Sequence, residues 1–209
     1  MAREKPAEKL LRMTKIEREY WAKGVAVAGI DEVGRGPLAG PVVTACVILP
    51  PDQLIEGVDD SKKLTPARRE ALSAEILHRA TFVRIARVES TEIDEINILN
   101  ATRRAMEACA AEAPAGVFLI DALEGLRLPA EARAIVHGDA QCYMIAAASI
   151  VAKVYRDHLM EELDERYPGY GFLRHKGYGT EEHIRALRQM GPCPEHRRSF
   201  LGKLLGPGL

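Results

Sequence analysis

The sequence has no excess of either charge, no membrane-length apolar run, no closely spaced cysteine pair and no internal repeat. Lysine and arginine total 29 against 30 aspartates and glutamates, a net charge of −1. That excludes a generally cationic nucleic-acid coat and leaves any polyanionic partner to a local basic surface. No stretch is long and apolar enough to span a bilayer. The N-terminal MAREKPAEKLLRM is charged and lacks a signal core, so a cytoplasmic location is the expectation. Cys46, Cys109, Cys142 and Cys193 lie far apart with no C-x-x-C; Cys46 and Cys109 fall in apolar patterns and read as small buried hydrophobes, not as a disulfide framework. There is no G-x-x-x-x-G-K-[ST], which excludes a P-loop. What remains is a chain of 209 residues, 47% hydrophobic and 28% charged, enough for one sizeable core with a small appendage.

The stretch around which the chain is organised is Val25–Pro50. An apolar strand ends on two adjacent carboxylates, Asp31 and Glu32; a turn follows, Gly34-Arg35-Gly36-Pro37, and then a β-branched strand from Pro41 to Leu49. A dinucleotide turn would have to open a helix, and this one leads into a strand. Two acids at the lip of a buried strand are costly unless a cation offsets them.

In chain order, residues 4–23 read as a polar helix with a partial apolar stripe. Asp60-Ser61-Lys62-Lys63 has the pattern of a solvated turn, and Thr65 then caps a helix that has Pro66 at its first position and runs to about His78. Thr81–Glu89 alternates as a strand. Ser90 reads as the N-cap of a short turn, ahead of a main helix over 97–112. Val117–Ile120 is a compact strand ending on Asp121. Ala132–Val136 is another, followed by His137-Gly138-Asp139. A long helix runs from Tyr143 to Arg166 with an apolar stripe through Ala148, Ala152, Tyr155, Leu159 and Leu163, and Pro168-Gly169 ends it. The tail gathers Tyr170, His175, Lys176, Tyr178, His183, Arg185, His196, Arg197 and Arg198 into a basic and aromatic face. The division expected is an N-terminal helical segment (1–24), a catalytic domain (25–166) and a C-terminal substrate-binding extension (167–209).

Three strands thus finish on or beside carboxylates: Asp31 with Glu32, Asp121, and Asp139. Any one of these acids alone reads as a solvated strand cap. Together at one sheet edge they repel unless divalent cations compensate, and hard oxygen ligands suit Mg²⁺ or Mn²⁺. Two such ions are the apparatus for in-line displacement at a phosphodiester.

The ordered motifs GIDEVGRGPLAGPVV, DSKKL, INILNAT, LIDA, HGDA leading into AAASIVAKVYRDHLM, HKGYGT and GPCPEHRRSF resemble the type 2 ribonucleases H, the ribonuclease HII family, over residues 25–201. Two positions depart from the family pattern, Ala122 for glycine and His137 for lysine. The resemblance implies an α/β ribonuclease H-like fold: a mixed five-stranded sheet, its first three strands antiparallel, flanked by helices, with a C-terminal helical extension. It implies endonucleolytic cleavage of RNA in RNA–DNA hybrids, and of single ribonucleotides in duplex DNA, on the 5′ side of the ribonucleotide, leaving 3′-hydroxyl and 5′-phosphate ends. By resemblance the catalytic and metal-binding acids are Asp31, Glu32, Asp121 and Asp139, with two divalent ions, Mg²⁺ or Mn²⁺, and Asp31 bridging them. Gly34, Arg35 and Gly36 would read the 2′-hydroxyl and Tyr178 the ribo-to-deoxyribo junction. Ser61, Lys62, Asn97 and Asn100 would contact phosphates. A monomer without a membrane partner is expected. The alternatives are a ribonuclease HIII-like nuclease, for which the residues before Val25 leave no room for a further N-terminal domain, and a non-catalytic hybrid-binding module, which would need a broken acidic set.

Overall fold

A computed structural model describes residues 5–205. Five strands form one mixed sheet: β1 (Val27–Val33), β2 (Val42–Ile48), β3 (Phe82–Val88), β4 (Val117–Asp121) and β5 (Glu131–Ile135), in the order β3-β2-β1-β4-β5. β1, β2 and β3 pair antiparallel; β1 pairs parallel with β4, and β4 with β5. This is the expected ribonuclease H-like sheet. β1 runs to Val33, one residue past the two carboxylates on which the strand was expected to end.

Helices α1 (Pro6–Met13) and α2 (Lys15–Trp21) replace the single helix expected over 4–23, of which residue 4 lies outside the described residues. The break is at Thr14, whose hydroxyl donates to the Leu10 carbonyl at 2.7 Å beside its own N–H at 3.0 Å, a back-bond of the kind that bends helices. α3 (Pro66–Arg79) starts at the Thr65 cap as expected, the Thr65 hydroxyl accepting from Arg68 N–H. α4 (Ser90–Ile96) and α5 (Ile98–Ala110) follow. Ser90 is not a cap: it is the first residue of α4, and its hydroxyl donates to the Glu195 carbonyl at 2.7 Å.

α6 (Gly138–Gln141) leads into α7 (Tyr143–Arg166), the 24-residue helix beneath β1 and β2. The sequence pattern promised a stripe; in the first turns every residue from Tyr143 to Ala152 is buried. The sheet covers one side of α7, and α3 packs on it as well. Gly29 makes the close approach possible: a Cβ there would stand 2.1 Å from the Met144 backbone. α5 covers the opposite face, where Cys46 and Cys109 are buried beside Met106 and Phe118. All four cysteines are free.

α8 (Phe172–His175), α9 (Glu181–Met190) and α10 (Arg198–Leu205) form the C-terminal extension. Its own core, with Tyr170, Phe172, Leu187 and Leu201, packs on Met160 and Leu163 of α7 and on Leu38 and Ala39 of the turn after β1. The tail is therefore not simply a basic surface. Tyr170, His175, His183, His196 and Arg197 are buried, and only part of the expected cationic face remains outside.

Candidate active site

Strand register assembles the acids. β1 and β4 pair parallel through Ile30↔Ile120, which sets Asp31 level with Asp121 at the same sheet edge. Side chains alternate along β1, so Asp31 shares the face of Gly29, toward α7, while Glu32 shares that of Ile30. Gly138 N–H donates to Asp121 Oδ1 at 2.8 Å, bringing the Asp139 segment against β4. Ala122 (φ +47°) and His137 (φ +54°), the two departures from the family pattern, both adopt left-handed backbone beside these acids.

The electrostatics are those of crowded carboxyls. Asp31, 5% exposed, is pushed well above the usual carboxylate range by burial and by Glu32 and Asp121, against the pull of Glu32 N–H and Ser149. Burial also raises Glu32, opposed by Arg35 and assisted by Asp121. Asp121 is raised by burial and by Asp139, against the Gly138 N–H bond. Two cations reach the rim: Arg35 Nη1 lies 3.4 Å from Glu32 Oε1, and Lys62 Nζ 3.1 Å from Asp139 Oδ2. Glu32 Oε2 is buried without a hydrogen-bond partner.

A divalent cation fits this donor set. The atoms are hard oxygens, ionisation is held back by burial and mutual repulsion, and one buried oxygen lacks a partner; a bound cation reverses all three penalties. Among the described residues, no three acidic, histidine or cysteine side chains are closed into a finished ligand cage. The acids are neighbours around a rim, with Lys62 and Arg35 engaging two of them.

Ser61 Oγ is 2.8 Å from Ser149 Oγ, and Ser149 in turn hydrogen-bonds Asp31. Ser61 thus props the acid rim through α7, while Lys62 contacts the rim directly. Asn97 and Asn100 stand apart. Asn97 (φ +64°) caps α5, its side chain accepting from Leu99 and Asn100 N–H, and no hydrogen bond or ion pair joins either residue to the acids.

The turn after β1 lies against the 176–178 loop. Leu38 N–H donates to Gly177 O at 2.8 Å, and a Cβ on Gly36 would lie 3.7 Å from Tyr178 Cε1. Tyr178, a residue 44% exposed, therefore presents its ring beside Gly36. Two arginines that sequence reasoning missed hold this turn. Arg197 uses all five N–H donors on backbone carbonyls: Nε on Gly40, Nη1 on Arg35 and Pro37, Nη2 on Gly34 and Gly40, at 2.6–3.0 Å. Arg156 donates to Pro41, Ala39 and Lys176 carbonyls at 3.0–3.2 Å, tying the turn to the Tyr178 loop. Both are fully buried. A signal existed for Arg156, one of two cations, with Lys153, among the small and apolar residues of AAASIVAKVYR; Arg197 had none, since it sits among surface-like cations.

The family model described as Ribonuclease HII matches residues 28–203. The ribonuclease HII of Geobacillus kaustophilus (strain HTA426) is 54% identical over 196 residues, covering 92% of this chain and 74% of that protein. The ribonuclease HII of Acetivibrio thermocellus is 51% identical over 200 residues, 94% of this chain and 78% of that one. The crystal structure of ribonuclease H2 from Pyrococcus horikoshii OT3 superposes with a TM-score of 0.72 at 26% identity, covering 86% of this chain and 97% of the other. With the family matched across nearly the whole described fold and half-identical relatives matched along most of their length, the chain belongs to the ribonuclease HII family and is a ribonuclease H, a metal-dependent endonuclease that acts on RNA–DNA hybrids.

Proposed function

We propose that this enzyme cuts on the 5′ side of a ribonucleotide, in hybrids and at single ribonucleotides embedded in duplex DNA, leaving 3′-hydroxyl and 5′-phosphate ends. Asp31, Glu32, Asp121 and Asp139 would hold two divalent ions, Mg²⁺ or Mn²⁺, with Asp31 shared between them. When bound, such ions lower the pKa of the attacking water and support charge on the leaving 3′ oxygen. The observation that carries the reading is the buried Asp31 rim, with its mutually raised carboxyls and the unpartnered Glu32 Oε2.

The chain's own residues do the selecting. Gly34 has no room for a Cβ against buried Arg156, and Gly36 lies beside the Tyr178 ring; the backbone groups of this turn would meet the 2′-hydroxyl. A deoxyribose leaves such groups unpaired, about 1–3 kcal/mol each. Tyr178 stacks on the following deoxyribose and so favours junctions over continuous RNA. Lys62, on the segment that Ser61 anchors to α7, steadies a phosphate near the acids; Asn97 and Asn100 meet phosphates farther along the strand. The enzyme works as a monomer in the cytoplasm, with the C-terminal extension as its second substrate-binding surface; no described helix is long and apolar enough to cross a membrane.

The test is cleavage-site mapping, in Mg²⁺ and in Mn²⁺, on a continuous hybrid and on a duplex with one ribonucleotide. Cuts 5′ to the ribonucleotide on both substrates are expected. Cuts on its 3′ side, or none at an isolated ribonucleotide, would sink the reading.

A further inference from the structure

The C-terminal extension contains three buried histidines that the nuclease chemistry does not use, and their hydrogen bonds determine where every ring proton sits. His183 Nδ1 is 2.9 Å from the Tyr178 carbonyl, which can only accept, so that nitrogen donates. His183 Nε2, 2.9 Å from His196 Nε2, must then accept from it. His196 Nδ1 is left as an acceptor and receives Cys193 N–H at 3.0 Å. The Cys193 carbonyl, 3.3 Å from the same nitrogen, is already taken by His196 N–H at 3.1 Å. The chain of donors therefore runs one way, from Cys193 N–H through His196 and His183 to the Tyr178 carbonyl. His175 is fixed as well: Nε2 donates to Tyr170 O at 2.8 Å and Nδ1 accepts from Gly177 N–H at 3.2 Å.

We infer that His183 and His196 form a polarised relay that positions Tyr178, and that they are positioning residues for the discrimination step. The inference rests on the proposed reading of Tyr178 as the junction sensor. Gly177 and Tyr178 are held on the N–H side by His175, through Nδ1 and through its carbonyl, which accepts Tyr178 N–H at 2.9 Å. On the carbonyl side Tyr178 is held by Thr180 N–H and by His183. The peptide is fixed at both ends while the ring projects beside Gly36. Without the His183 bond, one anchor of that ring is gone.

An added proton on either ring would set N–H against N–H, so the relay works only with both rings neutral. Burial keeps them so: it lowers His183, and with His183 and His175 nearby it pushes His196 down to about 4. The titratable neighbours of the pair are His175 from α8 and Cys193, with Arg174 and Asp164 acting in turn on His175.

Two measurements test the relay. Nitrogen-15 spectra of the intact protein at pH 7 should find His183 protonated on Nδ1 and His196 on Nε2; a proton on His183 Nε2 overturns the assignment. The second uses paired amides, because asparagine can place its amide N–H about where histidine has Nδ1–H, and glutamine its amide oxygen about where histidine has the accepting Nε2. His183→Gln keeps the His196 joint and loses Tyr178; His183→Asn keeps Tyr178 and loses His196. Glutamine should lower kcat on a single-ribonucleotide duplex about tenfold with KM nearly unchanged, and asparagine by less than about threefold. In a Tyr178→Ala background the glutamine change should add nothing. Equal impairment by the two amides, or an undiminished glutamine effect in that background, overturns the relay. Normal junction cleavage by Tyr178→Ala itself overturns the sensor reading and with it the relay's purpose. Impaired Tyr178→Ala beside full-rate His183→Gln overturns the relay alone.

Discussion

On one flank of the Gly34 turn sit buried acids; on the other, two buried guanidiniums, Arg156 and Arg197. The two guanidiniums have no carboxylate partner among the described residues, and of the four acids only Glu32 and Asp139 meet a cation, at the rim. Burial lowers Arg156 to about 10, and burial together with Arg156 lowers Arg197 to about 9, yet both remain cationic at neutral pH. Their N–H groups rest on carbonyl oxygens, and all five donors of Arg197 are used. The acids are pushed the other way, and Glu32 Oε2 has no donor at all. Charge whose hydrogen bonds are complete builds scaffold; charge left incomplete awaits something from outside. Glu17 sets a boundary on this rule. It too has an unpartnered buried oxygen, but its other oxygen accepts from Met144 N–H at the start of α7, an internal capping role.

The sharpest way to break the comparison is Asp31→Asn. Cleavage should fall by about three orders of magnitude or more while hybrid binding persists. The melting temperature should hold or rise, since a neutral amide relieves the repulsion with Glu32 and Asp121. Near-parental cleavage in Mg²⁺ would remove Asp31 from the chemistry. Next is Arg197→Met, which leaves the Gly34, Arg35, Pro37 and Gly40 carbonyls without their buried donor. Buried acceptors left without a donor cost about 1–3 kcal/mol, so a loss of about 3 kcal/mol in urea unfolding is expected; a loss below about 1 kcal/mol would mean that the turn holds itself.

Glu17 gives a pH dependence. Its folded pKa is raised by burial from 4.5 to about 7. Between those values the folded chain holds a proton that the unfolded chain has released. This contribution to stability is therefore complete below pH 4.5 and declines as pH rises through about 7, on the order of 3 kcal/mol in all. Glu17→Gln should flatten that part of the profile in denaturant titrations at pH 5 and pH 8; an unchanged slope would place the titration elsewhere. The smallest effect is expected at Ala122, whose φ of +47° is costly for any residue with a Cβ. Ala122→Gly should stabilise the fold by about 1 kcal/mol with little change in cleavage rate, and a lower midpoint would show that the methyl group packs usefully.

The acids were legible because each closes or follows a compact apolar strand, and strand register does the rest. The mixed five-stranded sheet with its first three strands antiparallel followed from the resemblance, whereas the strand order came only with the structure. Less visible was the break at Thr14, which interrupts a continuous helical pattern. The guanidinium clamp was the least visible feature. Composition presents arginine as a surface residue, and the carbonyl partners of Arg197 lie some 160 positions earlier, where no periodicity can point to them. The buried histidines were misread for the same reason, as solvent-facing cations. Asn97 was placed at the first position of the helix over 97–112; its capping role depends on a left-handed backbone that no pattern announces.

The Arg197 clamp also has a temporal side. Synthesis proceeds from the N-terminus at roughly 5–20 residues per second, so the strands bearing Asp31, Glu32 and Asp121 leave the ribosome well before Arg197. Until that residue arrives, the Gly34–Gly40 carbonyls lack the donor that shapes them. The nascent chain thus carries its acids early and its selective turn late, and ordering of the recognition surface is deferred until translation has passed the C-terminal extension.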